Sequence, residues 1–384
     1  MTTGDREWRQ RVRSFAEDRL RPLAAEMDTR ERLDPDLVKA LFEEGLMGVE
    51  IPERYGGAGR DLADAAATIE ELARVDPAVA VFVDVQNVLV SGAVLRYGTG
   101  DQRRRHLPRL ASGTVGAFAL SEEEAGSDAF AMAATATPAD GGGFVLTGRK
   151  KWITNAAEAG LILVIAKVRD GDATPRPTAF LVEPPADGLT IGPRVSKMGI
   201  RATSTCEVIL DGVRVGPDAV LGAVGEGDML AIETLALGKI GIAAQLVGLA
   251  GGALEGAIGY AQRRRQFGEP IAAFQGVQFA LAEMATEVAA ASALLGDAVR
   301  AVTGGASAAE RLRACSMAKL FASDVAERVA SRSLELHGGN GFSTAYPAER
   351  FYRDVKVGKI YEGTSHMQLR GIASILLGAQ EVRR

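Results

Sequence analysis

The chain has 384 residues, 47% apolar and 24% charged, with a formal net charge of -5; this is the make-up of a globular protein too long for one core, so two or three packed units are expected. The acidic balance lacks the basic excess of a nucleic-acid binder, the cluster Arg263-Arg264-Arg265 being a local exception. Two cysteines, Cys206 and Cys315, and three scattered histidines, His106, His337 and His366, form no C-x-x-C or ligand cluster, which excludes a disulfide framework and a metal site and fits a reducing, cytoplasmic setting.

Met1 to Leu20 mixes Asp5, Glu7, Glu17 and Asp18 with arginines, and so reads as neither a secretory signal nor a transit peptide. Residues 1–112 carry a helical pattern. Asp34-Pro35 is an N-cap followed by a first-turn proline, and Leu37, Val38, Leu41 and Phe42 repeat at helical spacing until Gly45 and Gly48. Pro52 to Gly59 is a turn-rich loop. Asp61 to Ala73 and Ala78 to Tyr97 resume as helices, the second apolar nearly all round and so buried.

Residues 113–225 change texture. Short β-type runs (Val115 to Leu120, Gly143 to Leu146, Leu161 to Val168, Thr178 to Val182, Ser204 to Leu210) alternate with turn clusters, which predicts an antiparallel sheet domain. Residues 226–384 return to helical spacing in segments of about 228–264, 275–303 and 307–337, then a shorter one after Thr364, and predict a bundle. The fold class is therefore α+β and mostly α. The longest apolar runs, such as Leu161 to Ala166, fall far short of about 20 residues, so no membrane span is expected.

Three segments carry the chemistry. Tyr361-Glu362-Gly363-Thr364-Ser365 follows the turn His337-Gly338-Gly339-Asn340-Gly341-Phe342 and the basic stretch Arg350-Phe351-Tyr352-Arg353-Asp354. Upstream lie Leu120-Ser121-Glu122-Glu123-Glu124-Ala125-Gly126-Ser127-Asp128 and Lys151-Trp152-Ile153-Thr154-Asn155. A glutamate among Tyr361, Gly363 and Ile360 has the apolar setting that raises a carboxyl pKa toward neutrality, as a general base requires. Taken alone, E-G-T is an exposed loop carboxylate and S-E-E-E-A-G-S-D a solvated acidic turn. No G-x-G-x-x-G follows a strand and no G-x-x-x-x-G-K-S/T occurs, so Rossmann and P-loop cofactor sites are not supported.

Together the segments resemble the acyl-CoA dehydrogenase family, from the Pro52 loop to Ile372, and Lys197 to Cys206, Gly241 to Gln245 and Val85-Gln86-Asn87 are most similar to its short/branched-chain members. The resemblance implies the order N-terminal helical domain, middle β domain and C-terminal four-helix bundle. It implies FAD, and Glu362 as the base that takes the α-proton of an acyl thioester while the flavin takes the β-hydride. Phe118, Leu120, Ser121, Gly126 and Ser127 would follow the flavin, with Ser127 also touching the acyl-CoA; Trp152, Ile153 and Thr154 would lie on its other side, Thr154 near N5. Arg264, Phe267, Gln275, Glu335, Leu336, Gly338 and Gly339 would reach the flavin of a neighbouring subunit, with Thr364 and His366 nearby. An obligate oligomer follows, typically a homotetramer built as a dimer of dimers, reoxidised by an electron-transfer flavoprotein.

On the substrate side the resemblance points to Tyr361, Gly363, Asp228, Ala236 and Lys239. Here the chain departs: Asp228 stands where relatives carry an aromatic, and Ala236-Leu237-Gly238-Lys239 replaces N-E-G-R, losing an acid and the forked geometry of arginine. The expected reaction is α,β-dehydrogenation of a short or branched acyl-CoA, as in fatty acid or branched-chain amino acid metabolism. A carrier-protein thioester and a flavin oxidase or monooxygenase on the same fold stand as alternatives.

Overall fold

Side-chain caps set the helix starts of the first third. In the structure, a computed structural model that describes residues 5–171 and 174–378, Asp34 accepts from Asp36 N at 2.9 Å and Leu37 N at 3.0 Å, opening α3 (Pro35–Glu43) after α1 (Arg6–Phe15) and α2 (Ala24–Arg30). Asp61 and Asp76 cap α4 (Leu62–Ala73) and α5 (Pro77–Asp84) in the same way. The single helix expected over Ala78 to Tyr97 is instead three pieces. A widened π-helical stretch, Val85–Ser91, joins α5 to α6 (Gly92–Tyr97). There the Asn87 amide leaves the helix surface to donate to Leu46 O and accept from Val49 N, an inserted polar demand of the kind that widens a turn. Thr99 caps α7 (Gly100–Ser112) with a reciprocal bond from Gln102.

The middle segment is a mixed sheet, not the purely antiparallel one expected. Its order is β6 (Leu189–Ile191), β7 (Thr205–Val215), β3 (Phe144–Thr154), β2 (Thr135–Pro138), β4 (Ala159–Val168), β5 (Arg176–Val182), β8 (Val220–Leu221), with β1 (Val115–Ala119) against β4. Both β1 and β2 run parallel to β4. The alternating pattern that signals a strand is the same for either direction, so the sequence could not tell them apart. β4 is buried on both faces: Leu161, Leu163 and Ile165 join the helical core, while Ile162, Val164 and Ala166 join the core of the sheet. That strand ties the sheet to the helices.

The last third is α8 (Gly227–Arg263), α9 (Gln275–Thr303), α10 (Ala308–His337), α11 (Ala348–Val355) and α12 (Ser365–Leu376), with a small β9–β10 hairpin (Arg265–Gln266, Glu269–Pro270) between α8 and α9. Helix α11, hidden in sequence by its charged residues, buries Arg350 and Asp354. By length and composition three helical spans among the described residues, 77–97, 227–263 and 275–303, are apolar enough to cross a membrane, contrary to the expectation from unbroken runs. That expectation missed them because alanine, glycine and isolated polar residues dilute the pattern. The apolar window of the first is 94% buried inside the protein and that of the second 67%, whereas the third lies on the outside, 22% buried.

Candidate active site

Glu362 lies in a loop that three side chains hold. Its φ is +50° and that of Gly363 +86°, so two successive residues take the left-handed region that a side chain ordinarily avoids. Gln368 Nε2 donates to Glu362 O at 3.0 Å and to Gly363 O at 2.8 Å, and Lys319 Nζ donates to Gly363 O at 2.8 Å. The Thr364 hydroxyl accepts from Met367 N and starts α12. The Tyr361 hydroxyl donates to Gln245 Oε1, and Gln245 Nε2 donates to Pro77 O, which fixes the tyrosine against α5 and α8.

The residue as a whole is half-buried, yet Glu362 Oε2 is closed to solvent and has no hydrogen-bond partner. It rests where α8 has no side chain: a Cβ on Gly238 would lie 2.8 Å from Glu362 Oε2 and 2.8 Å from Leu89 Cδ2. Burial pushes the Glu362 carboxyl up to about 7, with Lys319 and then Lys239 pulling it down. A carboxyl titrating there is half-ionised at neutral pH. It is a base in waiting.

Another acid, Asp84, ends α5 with both carboxyl oxygens buried and unpartnered. It fills the notch of Gly241, whose Cβ would stand 1.8 Å from Asp84 Oδ1. Burial first, and the Glu362 charge second, hold Asp84 well above the usual carboxyl range. Lys239 faces this cluster. Its ammonium donates to Ser316 Oγ at 3.0 Å, and burial lowers its pKa while Cys315 and Glu362 raise it. Ala236 lies half-buried one turn earlier, and Asp228 accepts its neighbour's Met229 N in the first turn of α8.

The flavin-side candidates lie on β1 and β3 of the sheet and on the loop that leaves β1. Leu89 contacts the Glu362 notch, and the adjoining Val90 packs on Gly116 of β1, where a Cβ would meet it at 2.8 Å. Phe118 is half-buried, and Leu120 packs in the helical core; Ser121 is half-buried at the strand exit, and Gly126 and Ser127 are exposed beyond it. The loop between is anchored by Glu122, which accepts from Ala133 N, Ala134 N and the wholly buried Lys150 at 2.8 Å; Lys150 also donates to Leu120 O. On β3 the pairing with β7 slips between Lys150 and Ile153, and Trp152 takes φ +64° with 55% of its surface exposed. This bulge throws the indole off the sheet, while Ile153 turns into the sheet core and Thr154 stays half-buried.

Arg264, Phe267, Gln275, Glu335, Leu336, Gly338 and Gly339 collect at the opposite end of α8, where all but half-buried Leu336 are exposed and Phe267 is 95% so. A cleft of about 440 Å³ between α9 and α10 runs there, lined by Gly276, Phe279, Glu283, Arg332, Glu335 and Leu336. Arg264 lies 26 residues along the chain from Gly238, about 39 Å at helical rise. One protomer therefore does not bring this group to the Glu362 notch. Thr364 adjoins Glu362, and His366 is exposed on α12.

Sequence reasoning missed Asp84, Lys319, Gln245, Gln368 and the Glu122–Lys150 pair. A signal existed for two of them. Asp84 is an acid inside a helix otherwise apolar all round, and Lys319 lies on the same stripe as Cys315, Ala318, Ala322 and Ala326 at helical spacing.

Family models for the acyl-CoA dehydrogenase N-terminal, middle and C-terminal domains match residues 2–114, 117–213 and 225–377. The chain is 49% identical over 362 residues to a probable short/branched chain specific acyl-CoA dehydrogenase of Dictyostelium discoideum, covering 94% of this chain and 87% of that one. Among solved structures it matches butyryl-CoA dehydrogenase from Megasphaera elsdenii with a TM-score of 0.93 at 34% identity, covering 98% and 100% of the two chains. It also matches a glutaryl-CoA dehydrogenase from Mycobacterium smegmatis in complex with FADH2, with a TM-score of 0.91 at 30% identity, covering 100% and 97%. Three domain models in the expected order, over a loop that shields a glutamate carboxyl oxygen from solvent, make one conclusion plain: the chain belongs to the acyl-CoA dehydrogenase family, FAD-dependent oxidoreductases.

Proposed function

We propose that the protein catalyses α,β-dehydrogenation of a short or branched acyl-CoA thioester, with Glu362 as the base. The single observation that carries the reading is the orphaned, solvent-shielded Glu362 Oε2, in a setting whose burial pushes the carboxyl up to about 7. A buried acceptor without a partner is costly unless a ligand completes it, and an α-proton is the partner a base needs. Glu362 takes the α-proton onto its carboxylate and holds it, shielded from water, as the double bond forms. Among the described residues the Glu362 backbone N–H donates to no protein acceptor, which leaves it free to bind the thioester carbonyl as negative charge builds on that oxygen. Tyr361, fixed by Gln245, walls the acyl group.

FAD supplies the acceptor for the hydride that leaves the β-carbon. The residues present fit it: a strand exit at Leu120-Ser121, the open glycine Gly126 where a Cβ would meet nothing within 4 Å, and the Trp152 indole offered as a flat face. Ser127, Ile153 and Thr154 would complete that side. On this reading Arg264, Phe267, Gln275 and the 335–339 turn reach the flavin of a second protomer, which their distance along α8 from the Glu362 notch supports, and the exposed apolar α9 would give that protomer a surface. A homotetramer fits both, as does reoxidation by an electron-transfer flavoprotein.

The test is anaerobic mixing of the FAD-loaded enzyme with 2-methylbutyryl-, isobutyryl- and butyryl-CoA. Bleaching of the flavin band with at least one supports the reading, and no bleaching with any thioester refutes it.

A further inference from the structure

We propose that Lys319 is a positioning residue for the base: its ammonium both pins the Gly363 peptide and supplies a positive charge that favours the ionised form of the buried Glu362 carboxyl. The proposal rests on the reading of Glu362 as that base.

Lys319 projects from α10 with none of its surface exposed. Its ammonium donates to Gly363 O, the carbonyl next to the base, and among the described residues no carboxylate lies within ion-pair reach of it. A buried ammonium without a salt bridge is expensive, so a lysine there needs a compensating interaction. Geometry alone does not supply one. Gln368 already donates to Gly363 O at 2.8 Å and to Glu362 O at 3.0 Å, so the loop would be held without a cation. What lysine adds over a neutral donor is positive charge.

That charge has one clear recipient. From α8 comes Lys239, tied to Ser316; from α5 comes Asp84, whose carboxyl burial and the Glu362 charge hold well above the usual range; from the loop itself comes the Tyr361 hydroxyl, committed to Gln245. Asp324, one turn on along α10, pairs with Lys359 at 2.9 Å. Glu362 is the acid next to the Gly363 peptide, and it is the first group that holds the Lys319 charge up against burial; with both at work that ammonium is brought down to about 8. Reciprocally, Lys319 is the leading influence that opposes burial at Glu362. Removing the cation leaves desolvation less opposed, and the base then holds its proton to higher pH.

The test compares wild type, Lys319→Gln and Lys319→Arg as FAD-loaded enzymes. The first readout is the infrared C=O band of protonated Glu362, identified as the band lost in Glu362→Gln; the second is the pH profile of flavin reduction. Lys319→Gln should move both midpoints up by at least about one pH unit, a roughly tenfold loss of rate below the midpoint that closes at alkaline pH; Lys319→Arg should leave them in place. A loss of the same size at every pH, with the band unmoved, would overturn the proposal. Should Lys319→Gln fail to fold, Lys239→Gln spares the Gly363 bond and must shift the band in the same direction by less; an unmoved band there overturns charge as the cause. The band titrates whether or not Glu362 is the base, so activity surviving in Glu362→Gln would fail the functional reading alone.

Discussion

Glu362 and Gly238 fit together as plug and notch, the Oε2 atom occupying the space that any side chain at residue 238 would take. The flanking Gly241 does the same for Asp84, so successive turns of α8 each receive a buried acid. The base thus depends on an absence in a helix whose sequence is far from it.

Gly238→Ala places a methyl carbon 2.8 Å from both Oε2 and Leu89 Cδ2. Both are side-chain ends and can give way, so the variant should fold and bind FAD. The displaced carboxylate should reduce the flavin roughly a hundredfold more slowly, since misplacement of about 1 Å has that scale of effect. Stopped-flow absorbance on the FAD-loaded variant measures it; an unchanged rate would show that the notch does not set the base.

The Glu122–Lys150 pair should hold the flavin loop. Lys150→Met leaves the Glu122 carboxylate without its buried cation, and breaking one side of such a pair costs about 3–5 kcal/mol. The double change with Glu122→Gln should recover part of that. Thermal unfolding and the fraction of FAD retained after gel filtration give both numbers. A double variant no better than the single one would mean that the loop is held by other contacts.

Asp354, on α11, joins the three parts of the chain: it accepts from Ile200 N at 2.5 Å and lies near Asp76. Burial and then the Asp76 charge push it up to about 7. In the unfolded chain it titrates near 4, so between about pH 4 and 7 the unfolded state has shed a proton that the folded state keeps. Stability from this group therefore falls as pH rises through that window and levels off above it. Asp354→Asn should be unaffected by the loss, gaining on wild type by on the order of a few kcal/mol between those limits. Melting temperatures of both proteins at pH 5 and pH 8 check the sign, and a difference that does not change with pH would contradict it.

Much of this was legible from the residues. Asp34 announced its helix, the 275–303 segment was bounded to the residue, and Glu362 stood out because Gly363 follows it in a block of matching segments. What escaped were relations across the fold. Nothing at Lys319 names its distant acceptor at Gly363, and glycine at 238 and 241 reads as helix weakness until the acids they admit are seen. Strand direction was invisible for a similar reason, since alternation in β1 and β2 carries no sense of polarity. Helix α11 was masked because Arg350 and Asp354, charged and yet buried, invert the usual pattern.

The most direct measurement is single-turnover flavin reduction under anaerobic conditions by FAD-loaded Glu362→Gln beside wild type, with the best of the three thioesters. The account predicts an unchanged flavin spectrum before mixing and a reduction rate lower by roughly 10²–10⁴-fold. A variant that bleaches as fast as wild type would contradict it.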